Sequence, residues 1–105
     1  MKDQDLALMQ IKSFVSEILP GSDIILFGSR ARNEILRDSD YDLLIIVKDQ
    51  FDSSRRLKYQ SLIRKNLAIK NILADVIIQS KYDIEKKRNL RGHIVRSALQ
   101  EGIMI

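Results

Sequence analysis

Five apolar residues in a row, Leu43 to Val47, follow directly on Asp40-Tyr41-Asp42. A run of that length with a β-branched end is a buried strand, and "YDLLIIV" (41–47) is read as one. Alternate strand residues share a face, so strand geometry reaching back to residue 40 would set Asp40 and Asp42 side by side. Two carboxylates that close repel, and a hard divalent cation such as Mg²⁺ relieves the repulsion. The plainer alternative is a pair of loop aspartates, with Asp40 favouring a turn.

The rest of the chain alternates helix and strand. Leu8, Ile11, Val15 and Ile18 recur at helical spacing until Pro20-Gly21. "DIILF" (23–27) reads as a strand, and Gly28-Ser29 turns into a short helix near residues 30–36. A helix follows over 53–69, with Ser53 or Ser54 as cap and Tyr59, Leu62, Ile63 and Asn66 on one face. "ILADVIIQ" (72–79) is a third strand. A last helix carries Leu90, Ile94, Val95, Ala98 and Leu99 to Gly102, and "IMI" makes an edge strand. The expected fold class is α/β (α+β): a small mixed sheet flanked by helices. With 105 residues, one domain spanning 1–105 is expected.

Asp75 stands alone on an apolar strand, sharing the parity of Leu73 and Ile77. A carboxylate there is costly unless an arginine or a metal answers it. If strands two and three are neighbours, Asp75 completes a three-carboxylate cluster, the type that holds two Mg²⁺ ions for displacement at phosphorus. The Gly-Ser turn adds what such chemistry needs: Gly28 lets backbone approach a ligand, a helix N-terminus offers N–H groups to phosphate, and Ser29 adds a hydroxyl.

Charge is divided along the chain. Residues 1–52 hold six Lys/Arg and ten Asp/Glu; residues 53–105 hold twelve and four. The basic half is either a solvated helix surface or a docking face for an anionic partner. No apolar run exceeds five residues, so no membrane span is expected. The acidic, amphipathic N-terminus is not that of a signal peptide, and the absence of cysteine excludes disulfides and thiolate metal sites. A cytoplasmic location is expected.

Gly28-Ser29-Arg30-Ala31-Arg32-Asn33, then Asp40-Tyr41-Asp42-Leu43-Leu44, then Asp75 in a later strand, together resemble the polymerase beta-like nucleotidyltransferase superfamily. More closely they resemble the minimal nucleotidyltransferase (MNT) antitoxins that pair with HEPN-domain toxins. Asn33 stands where many relatives have glycine. The resemblance implies that Gly28 and Ser29 hold a triphosphate and that Asp40 and Asp42 ligate two Mg²⁺ ions. It implies that Asp75 ligates the catalytic metal beside the attacking hydroxyl. Arg30 and Arg32 would contact phosphate or partner, or else lie at the surface. The implied activity is transfer of AMP from ATP to a tyrosine of a HEPN toxin, with the basic half docking that toxin. Two other readings stay open: an antitoxin that neutralises by binding alone, and a nucleic-acid module. The latter lacks an aromatic stacking pattern, so direct nucleic-acid binding is not expected. His93 is read as structural or partner-facing, and Met1, Met9 and Met104 as core or terminal fillers.

Overall fold

A computed structural model describes residues 3–31 and 40–105. The elements run α1 (Asp3–Ile18), β1 (Asp23–Phe27), β2 (Tyr41–Val47), α2 (Ser53–Ile69), β3 (Ala74–Ser80), α3 (Lys81–Lys87), α4 (Ile94–Glu101) and β4 (Ile103–Met104). The strands form one mixed sheet in the order β3-β2-β1-β4. β1 lies antiparallel to both β2 and β4, while β2 and β3 are parallel and joined through α2.

The central position of β2 explains its unbroken apolar run. Leu43, Ile45 and Val47 pack with Ile11 and Val15 of α1 and Ile63 and Leu67 of α2. Leu44 faces the other way, onto Ile84 of α3 and Val95 and Ala98 of α4. Both faces are covered, so alternation would leave polar groups buried. Leu43, Leu44 and Ile45 are each at most 1% exposed, and each such burial contributes roughly 1.5–3 kcal/mol.

Several boundaries differ from the sequence reading. The cap of α2 is Asp52, whose Oδ1 accepts from the Arg55 N–H at 2.7 Å, and not Ser53 or Ser54. An aspartate one residue upstream reaches the same free amides and brings negative charge to the positive helix end. On α2 the buried residues are Ile63 and Leu67, while Leu62 is exposed. The third strand is shifted to 74–80. Helix α3 was not expected, because Ile84 is its one buried residue and leaves no periodicity to read. Leu90 lies exposed ahead of the last helix, which begins at Ile94 behind a cap at His93. His93 Nδ1 accepts from the Val95 N–H at 3.1 Å, a structural role. Met9 and Met104 are exposed, so neither fills the core. The expected short helix near 30–36 falls mostly outside the described residues, as do Met1 and Arg32.

Candidate active site

Because β1 runs against β2 and β3, its C-terminal end meets their N-terminal ends. That corner collects most of the residues singled out in the sequence. Asp42 pairs in register with Phe27 on one side and with Asp75 on the other. Register partners on neighbouring strands point to the same face, about 4.8 Å apart in the hydrogen-bonding direction. Asp42 and Asp75 therefore share the face that holds Phe27, Leu44 and Ile77, opposite the α1/α2 side. Asp42 is half-buried and Asp75 exposed. Asp40 has the parity of Asp42 but stands one residue before β2, exposed.

The turn leaving β1 closes on this pair. Gly28 has φ +74°, the left-handed region, and the Ala31 N–H donates to the Gly28 carbonyl at 3.2 Å. A Cβ on Gly28 would collide with Oδ2 of Asp42. Glycine is needed here twice over, for its backbone angle and for its missing side chain. Ser29 and Arg30, the central residues of the turn, are half-buried.

Arg30 goes elsewhere. Its guanidinium carbon lies 4.0 Å from the centre of the Tyr41 ring, a cation–π distance. Tyr41 is buried in the cluster formed with α1 and α2, the face opposite the carboxylates. Nothing in the sequence announces this stack, since Tyr41 reads simply as the apolar residue between two aspartates.

The donors suit a hard divalent cation: carboxylate oxygens with no sulfur, on two residues one strand spacing apart, beside a turn whose first residue, Gly28, has no side chain. Among the described residues no group of three or more His, Cys, Asp or Glu is gathered closely enough to hold a metal ion. Asp42 and Asp75 supply a pair, and Asp40 stands at its margin. The basic half of the chain appears on α2, whose Arg55, Lys58, Arg64 and Lys65 are exposed and which contains no acidic residue.

A mixed sheet backed by helices, with a glycine turn and carboxylates gathered at one end, is the palm of a nucleotidyltransferase. Solved structures share it. A chain from the complex of a tri-AMPylated Shewanella oneidensis HEPN toxin with MNT antitoxin matches with TM-score 0.60 and 19% identity, over 96% of this chain and 70% of that one. A chain from a toxin–antitoxin complex with AMP-PNP matches with TM-score 0.57 and 18% identity, over 93% and 68%. In sequence, a relative from Methanocaldococcus jannaschii named as a protein adenylyltransferase is 35% identical over 79 residues, 75% of this chain and 72% of the relative. The nucleotidyltransferase domain family matches residues 8–105, and the chain belongs to that family. Among the described residues, no helix is long and apolar enough to cross a membrane.

Proposed function

We propose that this chain is the antitoxin of a HEPN/MNT pair and transfers AMP from ATP to a tyrosine hydroxyl of its partner toxin, using two Mg²⁺ ions. The observation that carries this reading is the register of Asp42 with Asp75 beside the Gly28 turn. The names of its relatives support the choice of nucleotide and acceptor: a protein adenylyltransferase, an AMPylated HEPN toxin held with its antitoxin, and a toxin–antitoxin complex with AMP-PNP.

In this reaction the tyrosine oxygen bonds to the α-phosphorus of ATP as the bond to the β-phosphate oxygen breaks. Pyrophosphate leaves, and the hydroxyl's proton passes to solvent water. Gly28 and Ser29 receive the triphosphate, the glycine because backbone can approach and the serine through its hydroxyl. Arg30 contributes to phosphate binding only on leaving the Tyr41 ring. Asp40 and Asp42 would hold both cations, and Asp75 would hold one of them. Bound Mg²⁺ supplies charge neutralisation and polarises the phosphoryl group. Asp75 sits on the outermost strand, so the acceptor hydroxyl arrives from that side. The basic surface of α2 is where this reading docks the toxin.

Incubating the protein with its partner, ATP and Mg²⁺ tests the proposal. The partner gains the mass of AMP on a tyrosine, and the Asp40→Asn/Asp42→Asn double variant abolishes both the gain and protection in cells. Full protection by that variant, with no modification, would instead establish an antitoxin acting by binding alone.

A further inference from the structure

Tyr41 and Asp42 are consecutive on β2 and project from opposite faces of the sheet. The turn that leaves β1 touches both. On the carboxylate face, Gly28 rests against Asp42 with no space for a Cβ. On the α1/α2 face, two residues further along the turn, the Arg30 guanidinium lies 4.0 Å from the centre of the Tyr41 ring. Ser29 is the residue between, so the turn straddles the end of β2. Tyr41 makes a fixed post. It is buried in the main core, and its N–H donates to the Leu73 carbonyl at 2.9 Å. The turn is held more lightly: the bond that closes it, from the Ala31 N–H to the Gly28 carbonyl, is 3.2 Å long, and a glycine at its head adds backbone freedom.

We infer that Tyr41 is a positioning residue for the nucleotide: its ring holds Arg30, and through Arg30 it fixes the Ser29 hydroxyl and the N–H groups of the turn where the triphosphate is received. This deepens, and rests on, the transferase reading above. Arg30 does this without leaving the ring, as a strap across the strand end. A guanidinium suits the task because it is planar, stacks on an aromatic face and keeps its charge throughout the physiological pH range. On the Tyr41 side the ring matters and the hydroxyl does not, since the guanidinium lies over the ring centre. Tyr41 is the one aromatic residue of β2, among leucine, isoleucine and valine. An aliphatic residue there would serve the core, but it would offer the arginine no negative face.

AMP-transfer kinetics with ATP, Mg²⁺ and the acceptor protein test this, alongside a melting curve for each variant. Tyr41→Leu, which keeps an apolar side chain in the core, raises KM for ATP by about tenfold and leaves KM for the acceptor protein unchanged. Tyr41→Phe, which keeps the ring, restores the KM of the parent. Arg30→Met has the effect of Tyr41→Leu, and the double variant is no worse than either alone, because both remove the same contact. Additive losses would mean that Arg30 binds phosphate independently of Tyr41, and would overturn the inference. So would a Tyr41→Leu protein with a lowered melting temperature and an unchanged KM for ATP, the mark of a ring that only fills the core. Should Tyr41→Leu fail to fold, Tyr41→Met takes its place in the same comparison, its flexible side chain adapting to the space left by the ring. A parent that transfers AMP while the variants keep its KM would remove the inference alone. A parent that transfers nothing would remove the transferase reading, and the inference with it.

Discussion

The bare α-carbon of Gly28 rests against the carboxylate of Asp42, with no room for even a methyl group between them. The turn and the carboxylate-bearing strand are thus one unit, and a change in the turn is transmitted to the acid. Gly28→Ala is expected to displace Asp42, cost roughly 1–2 kcal/mol for the left-handed backbone, and abolish detectable ATP·Mg²⁺ binding by calorimetric titration. Gly21→Ala is the control: Gly21 has φ +78° with nothing near its Cβ position, so stability falls comparably while nucleotide binding persists.

Asp42→Asn separates charge from fold. The substitution keeps the side chain's shape and relieves the repulsion between two carboxylates in register, so the protein should still fold and melt cooperatively. The same variant should lose most ATP·Mg²⁺ affinity, because the remaining carboxylates no longer balance the cations. A melting curve and a titration on one sample distinguish the two effects.

Helix α2 depends on its cap. Asp52→Ala is expected to cost about 1 kcal/mol, within the 0.5–2 kcal/mol usual for such caps, whereas Ser53→Ala should cost far less, by urea unfolding. His93→Ala should weaken α4 through loss of the bond to the Val95 amide, and His93→Asn should restore it. Neither His93 variant should alter AMP transfer.

The central strand sets the stability of the whole. Ile45→Ala, at a position with no exposure, should cost about 2–5 kcal/mol and lower the urea midpoint more than any substitution above.

The sequence made some of this visible for a physical reason. β1 and β2 are short apolar runs because both faces of the sheet are covered, and such runs stand out from a charged background. Asp75 could be singled out because a lone acid is conspicuous in an apolar strand. Its pairing with Asp42 could not, because register between parallel strands is set across a 17-residue helix. Helix α3 was missed for want of apolar periodicity, yet its start carries a legible sign: Ser80 followed three residues later by Asp83, whose N–H donates to Ser80 Oγ at 3.0 Å. The Arg30–Tyr41 stack and the hydrogen bond from the Ile78 N–H to Gln60 Oε1 join residues distant in the chain, and nothing local announces either.

The pairing of Ile25 with Met104 has a consequence for biosynthesis. β1 leaves the ribosome before β2, α2, β3, α3 and α4, and the strand that covers its outer side follows only after all of them. Until then the growing polypeptide displays a hydrophobic strand with an unsatisfied backbone, a template for adhesion to other chains. Products terminated before residue 103 retain that exposed side, and they should be the species that chaperones and proteases capture.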